Sequence, residues 1–219
     1  MFELIPLITL LVSGVCCTAF NLFKIGKYGA IVSCCSFVSI LFFEPHVIKF
    51  NWFSIANLNF DFSFNFFETP VLLCTLISSI LVCLYMARSI SFFDNSIQRK
   101  FGVLNIFVFF MCTTILSDNI FQFYIGVEAL GLISAILVGM EKNAEKEATK
   151  VFLFNKFASI IFLVAISILV ITTKSFDVSK INELCLTKSS AVLFFPACLL
   201  LISCFSYYTY HCSCFYVLC

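Results

Sequence analysis

Glu128 is the residue of this chain best placed to do chemistry. It lies in the stretch Leu116–Met140, LSDNIFQFYIGVEALGLISAILVGM, and the 22 residues from Asn119 to Met140 carry no other formal charge. An ionised carboxylate at the centre of a bilayer costs about 2.5–3.5 kcal/mol on insertion scales. A side chain held there faces a protein interior or a wet cavity and has a partner. The chemistry open to it is uptake and release of a proton. The plainer alternative is a structural ion pair, or a protonated Glu hydrogen-bonded to a neighbour.

Lys156 is the second candidate charge at membrane depth. It sits about two turns into TKVFLFNKFASIIFLVAISILV, next to Asn155. A lysine there can snorkel to the headgroups, or it can join a buried polar path with nearby carboxylates. Lys150 is closer to the surface. Asp118 precedes the Glu128 stretch, where Asp and Asn favour helix starts, so it reads as a cap. Gly126, Gly131 and Gly139 punctuate the stretch itself. Small residues let membrane helices approach closely. Gly126 and Gly131 flank Glu128 and would leave room for water or a partner side chain, although packing alone also explains them.

Other chemistry is weakly signalled. His46 beside Pro45 reads as a surface histidine. His211, Cys212 and Cys214 form an HCSC cluster with no second pair at zinc spacing. There is no Gly-rich nucleotide loop, no CxxC pair and no nucleophile elbow, so no cofactor is expected on this chain. Most of the 13 cysteines lie in apolar runs and act as small hydrophobes.

The elements that must position Glu128 and Lys156 are membrane helices. Hydrophobic residues make up 62% of the 219 and charged residues 11%, against about 25% charged in soluble domains. The mean hydropathy is +1.08. The fold class is therefore an all-α polytopic membrane protein. Spans are expected at roughly 3–23, 28–43, 70–91, 102–117, 119–140 and 148–172, with a seventh at 190–206. The first run has Glu3 in place of a basic n-region and no cleavage site, so it reads as a membrane helix and not a signal. Ser117, Asp118 and Asn119 predict a tight bend between spans four and five. Alternating charges over Glu141–Lys150 read as a solvated helix start.

Lys24, Lys27, Arg88, Arg99, Lys100, Lys142, Lys146 and Lys150 lie in the joints after spans one, three and five. Lys49, Lys174, Lys180 and Lys188 lie in the others. The positive-inside rule puts the first set on the cytoplasmic or matrix side, with the amino terminus opposite. The joint from Glu44 to Thr69 differs: polar and aromatic residues alternate over Asn57–Phe64, which predicts a strand in a short surface β-hairpin near 50–66, with Trp52 suited to the interface belt. A net charge of +1 implies no nucleic-acid partner. Thirty Phe beside many Cys, Ile and Lys is the composition an AT-rich genome gives.

Two segments together resemble a known family. LSDNIFQFYIGVEALGLISAILVGM followed by KVFLFNKFASIIFL is similar to subunit 5, the bacterial subunit L, of proton-pumping NADH–quinone oxidoreductase (respiratory complex I). The matching positions are Asp118, Asn119, Gln122, Gly126, Glu128, Gly131, Leu132, Ser134 and Gly139, then Lys150, Phe152 and Asn155, with Lys156 in place of Arg. Val127 replaces the expected Trp and Ser159 the expected Asp. Upstream, NFDFSFNFFETPVLLCTLISSILVCLYM resembles the family's hairpin and third helix.

The resemblance implies an antiporter-like subunit of six to seven helices in this chain. Residues 1–117 would form its amino-terminal helices and hairpin, and 118–205 the first part of the proton-translocation module. It implies that Glu128, Lys156 and Lys150 lie on a proton path, supported by Asp118, Gly126, Gly131 and Asn155. NADH, flavin, iron–sulfur clusters and quinone would belong to the parent complex. The partners would be the other membrane-arm subunits and the lipid bilayer, in a bacterial inner (plasma) membrane or a mitochondrial inner membrane.

In the family, Glu128 pairs with a Lys on the seventh, broken helix, within a G-K-S-A-Q-x-P motif. No such motif follows here. The segment 206–219, SYYTYHCSCFYVLC preceded by CF, reads as an aberrant, out-of-frame tail or the end of a split gene, with a second polypeptide supplying the missing Lys. On this reading Glu128 lacks its partner within the chain. A truncated remnant that inserts without pumping and a component of a cation/proton antiporter are the alternative functions.

Overall fold

The computed structural model describes residues 5–19, 35, 38, 48–53, 58–62, 68–89, 96–141, 144–178, 180 and 181. The expected spans 28–43 and 190–206, the segment 206–219, His46, Lys188, the HCSC cluster and the Trp52 side chain lie outside the described residues. The chain divides into two compact units, residues 1–46 with 64–115 and residues 47–63 with 116–219.

The first unit contains helices α1 (Ile5–Ala19), α2 (Glu68–Ser89) and α3 (Ser96–Ile115). Helices form here because hydrocarbon offers backbone groups no outside partner, so each segment must bond internally. Helix α2 buries Leu72, Leu76, Ser79, Cys83 and Met86, alternating four and three residues apart, on one face. Its other face exposes Val71, Leu73, Ile77, Leu81 and Leu84. Both faces are apolar, which suits a helix with protein on one side and lipid on the other. Helix α2 also ties down its own hydroxyls: Thr75 donates to the Leu72 carbonyl at 2.7 Å and Ser79 to that of Thr75 at 2.6 Å.

Helices α1 and α3 cross closely at Gly14. A Cβ there would lie 2.7 Å from Ile106 Cγ1 and 3.2 Å from the Gly102 carbonyl. Beside that contact the Asn105 amide donates to Ser13 Oγ at 3.0 Å. Asn105 is fully buried and its Oδ1 has no hydrogen-bond partner.

The second unit holds a β-hairpin and a helix pair. Strands β1 (Ile48–Phe53) and β2 (Leu58–Phe62) are antiparallel, with Phe50 opposite Phe60 and an irregularity between Asn51 and Phe53. Helix α4 (Ile120–Gly139) spans 20 residues and α5 (Glu145–Thr173) spans 29. At about 1.5 Å per residue these are roughly 30 and 43 Å long. The extra length of α5 carries the exposed Glu145, Lys146, Glu147 and Lys150 at its start. Glu145 and Glu147 in that first turn complement the helix dipole.

Both ends of α4 are fixed. Asn119 is its N-cap: its side chain accepts from the Phe121 amide at 2.9 Å. The cap expected at Asp118 thus falls one residue later. Helix α5 ends at Lys174, whose φ of 54° turns the chain back. The returning segment is stitched to the start of α4, the Ile120 amide donating to Phe176 and the Val178 amide to Asp118, both at 3.0 Å. Among the described residues three helices, over Thr69–Met86, Ile120–Gly139 and Glu145–Thr173, are long and apolar enough to cross a membrane.

Candidate functional site

The site is built on the facing sides of α4 and α5. The two helices run antiparallel, so residues that meet have a nearly constant sum of numbers. Gly139 lies against Ala148, Gly131 against Asn155, Glu128 against Lys156 and Phe123 against Phe162. The loss of a side chain at Gly131 makes the central contact possible: a Cβ there would stand 3.2 Å from Asn155 Cβ. The buried Asn155 amide nitrogen donates to the Gly131 carbonyl at 3.2 Å and to Ser134 Oγ at 3.1 Å. Ser134 in turn donates to the same carbonyl at 2.9 Å. A satisfied polar cluster of this kind fixes helix register more than it adds stability, since interhelical hydrogen bonds in membranes average about 0.6 kcal/mol.

One turn away from that clamp, the Lys156 ammonium donates to Glu128 Oε2. The Glu128 side chain is 23% exposed and that of Lys156 40%, so the pair lies at the edge of the helix–helix interface and is not sealed within it. The other carboxylate oxygen, Oε1, accepts from the Tyr124 hydroxyl at 2.8 Å. Ser159 lies beside the carboxylate and the Tyr124 hydroxyl, and its Oγ donates to the Lys156 carbonyl at 3.1 Å. The Lys156 ammonium also stands 5.7 Å from the centre of the Phe152 ring. An aromatic face attracts a cation, so both a carboxylate and a ring hold the ammonium.

This geometry corrects one expectation. Glu128 has a partner inside this chain: Lys156 pairs with it across the α4–α5 interface. The physical reason is the antiparallel register, which brings residues 28 apart in sequence to the same level. Lys156 therefore turns inward along α4, where snorkelling would have carried it away.

The remaining predicted residues are placed elsewhere. Lys150 pairs with Glu147 at 2.9 Å, with both side chains largely exposed, at the protruding start of α5. Asp118 lies at the stitched end of the helix pair, where its carbonyl accepts from Val178. Gly126 is buried in α4. Gln122 is also buried, and neither atom of its amide has a hydrogen-bond partner.

Tyr124, Phe152 and Phe162 were not anticipated from sequence. A signal for Tyr124 was present: a hydroxyl four residues before a carboxylate shares its helix face. Phe152 precedes Lys156 by the same interval. Phe162 could only be found once α5 was laid against α4. Among the described residues no group of three or more His, Cys, Asp or Glu side chains is placed to hold a metal ion.

Such an arrangement can exchange a proton. A carboxylate and an ammonium in contact inside an apolar helix pair stabilise each other's charge. If the contact opens, neither charge keeps that support in a low dielectric, and a proton is released or taken up.

The same region carries the likeness to known proteins. Residues 117–208 match the family described as NADH:quinone oxidoreductase/Mrp antiporter, transmembrane. The chain is 25% identical over 202 residues to NADH-ubiquinone oxidoreductase chain 5 of Wickerhamomyces canadensis, covering 84% of this chain and 31% of that protein. It is 32% identical over 166 residues to the chloroplastic NAD(P)H-quinone oxidoreductase subunit 5 of Chara vulgaris, covering 71% and 25%. It is 32% identical over 120 residues to NADH-quinone oxidoreductase subunit L of Buchnera aphidicola, covering 52% and 19%. The chain thus spans between a fifth and a third of the length of these relatives. It is a multi-pass membrane protein whose residues 117–208 match that family and which is similar to subunit 5 or L over part of that subunit's length.

Proposed function

We propose that this chain serves in the membrane arm of an NADH–quinone oxidoreductase and takes part in coupling electron transfer to proton translocation. Residues 118–205 act as the first part of the antiporter-like module. Glu128 and Lys156 carry the proton step. Asn155, Gly131 and Gly126 fix the helices that hold them, Asp118 anchors the end of that helix pair, and Lys150 lies at the charged mouth of α5. The single observation that carries this reading is the Glu128–Lys156 ion pair between two helices long enough to cross a membrane.

The partners are the other membrane-arm subunits, whichever polypeptide bears the family's seventh-helix lysine, and the surrounding lipid of an inner membrane. The flavin, iron–sulfur clusters and quinone site belong to other subunits. This chain's own contribution is electrostatic. Contact between Glu128 and Lys156 keeps both charged. A movement that separates them makes each a proton donor or acceptor toward its neighbours.

Glu128→Gln in the assembled complex tests this. NADH-driven proton uptake is measured in inverted membrane vesicles beside the rate of quinone reduction. Loss of most proton translocation, with the chain still present in the complex, is the expected result. Unchanged proton uptake per NADH would overturn the reading and favour a non-pumping remnant. Cation/proton exchange in vesicles that lack any quinone reductase would point instead to the antiporter branch of the family.

A further inference from the structure

We propose that Tyr124 is the positioning residue of the Glu128–Lys156 pair: its hydroxyl holds one oxygen of the carboxylate so that the other faces the ammonium. The proposal rests on the reading of that pair as a proton-handling site. Each oxygen of Glu128 is engaged by a different donor from a different helix. Tyr124, on α4, donates to Oε1 at 2.8 Å, and Lys156, on α5, donates to Oε2. A carboxylate held at one oxygen only can swing about its terminal torsion, which is broad and soft. Held at both, it has one orientation.

The Tyr124 ring is itself fixed from the opposite helix. It stacks on Phe162 of α5, with ring centres 6.1 Å apart and planes 17° from parallel. Phe162 is buried and is also touched by Phe123, at 5.7 Å between centres. Lys156, Ser159 and Phe162 follow one another at three-residue steps, so α5 presents an ammonium, a hydroxyl and a ring along one side. Tyr124 and Glu128, four apart on α4, meet that row.

The arrangement has a consequence for the proton step. When Lys156 moves off Oε2, the Tyr124 hydroxyl stays on Oε1, because the stack on Phe162 holds it there. The carboxylate then keeps one of its two contacts and swings only about that anchored oxygen, which narrows the search by which the pair closes again. A hydroxyl also both donates and accepts, so Tyr124 stays bonded whether Glu128 carries a proton or not.

The test compares Tyr124→Phe, Glu128→Gln and the double variant in membranes containing the assembled complex. Tyr124→Phe keeps the ring and its stack and removes only the hydroxyl, so the chain's amount in the complex should not change. Proton translocation per NADH is expected to fall about fivefold, the equivalent of one hydrogen bond. Its pH profile should differ from the parent's, which lost packing alone would not produce. The double variant should match Glu128→Gln. If Glu128→Gln abolishes translocation while Tyr124→Phe leaves both rate and profile unchanged, the positioning role is overturned and the pair survives. If Glu128→Gln has no effect, the underlying reading fails and the proposal fails with it.

A second measurement needs no variant at 124. With isotope-labelled tyrosine, the infrared phenol band is compared between the parent and Glu128→Gln. A shifted band is expected, and an unmoved band overturns the proposal.

Discussion

The two units solve the same packing problem with the same three residue types, and among the described residues the second crossing has an ion pair beside it. In the first, Gly14 brings α1 onto α3, and Asn105 reaches across to Ser13. In the second, Gly131 brings α4 onto α5, and Asn155 reaches across to Gly131 and Ser134. The first crossing is tight against backbone and leaves one amide oxygen of Asn105 unpartnered. The second gives the amide nitrogen of its Asn two acceptors, and its glycine meets only the Asn155 side chain. It is the second crossing that carries Glu128 and Lys156. In the first unit a glycine, an asparagine and a serine lie at the contact of two apolar helices. The ion pair beside the second crossing is therefore an addition that packing does not require, and this is the argument for its having a function.

The largest expected effect breaks the charged crossing alone. Lys156→Met leaves Glu128 facing hydrocarbon without its counter-charge, a loss of about 2.5–3.5 kcal/mol on insertion scales if the carboxylate stays ionised. The amount of chain in the membrane, read by quantitative immunoblot, should fall about tenfold. The Glu128→Gln/Lys156→Met double variant should recover it, since removing both charges leaves no unpaired one. Failure of the double variant to recover would show that the two residues do not form one electrostatic unit.

A smaller effect separates the two glycines. Gly14→Ala drives a methyl into Ile106 and toward the Gly102 backbone, and should cost about 2 kcal/mol. Gly131→Ala meets only the Asn155 side chain, nearest at its Cβ at 3.2 Å, and should cost about 1 kcal/mol. Thermal denaturation of the detergent-extracted complex, followed by release of this chain, ranks the two. Equal shifts would mean that the crossings are equally tight in solution.

The smallest effect separates the two asparagines. Asn155→Leu removes two interhelical hydrogen bonds, about 1 kcal/mol together. Asn105→Leu removes one bond and, with it, an unpartnered buried oxygen, so the change should lie near zero. The same denaturation measurement reads both. A larger loss at Asn105 would show that its free oxygen finds a partner in the assembled complex.

Much of the helix layout was legible in the sequence. The runs expected at 70–91, 119–140 and 148–172 correspond to helices at Glu68–Ser89, Ile120–Gly139 and Glu145–Thr173. Apolar length is a sufficient signal there, because a segment in lipid must bond its own backbone. The run expected at 102–117 begins earlier, at Ser96, because Arg99 and Lys100 lower its hydropathy without interrupting the helix. The strand expected over Asn57–Phe64 lies at Leu58–Phe62 and pairs with Ile48–Phe53, a partner that alternation alone did not mark. Asn119 and not Asp118 takes the cap, a choice set by backbone angles that two adjacent capping residues leave open.

The site was half legible. Glu128 announces itself because one carboxylate among 22 otherwise uncharged residues is costly wherever it points. Lys156 was visible as a charge, and its inward turn was not. The sequence alone determined a membrane chain, the span that carries Glu128, and the small residues that allow close helix contact, since each follows from transfer free energy and residue size. Only the tertiary structure decided the partner. Laying α5 antiparallel on α4 brings Lys156 to Glu128, Phe162 to Tyr124 and Asn155 to Gly131, and no local pattern encodes the register between two helices joined by a short turn.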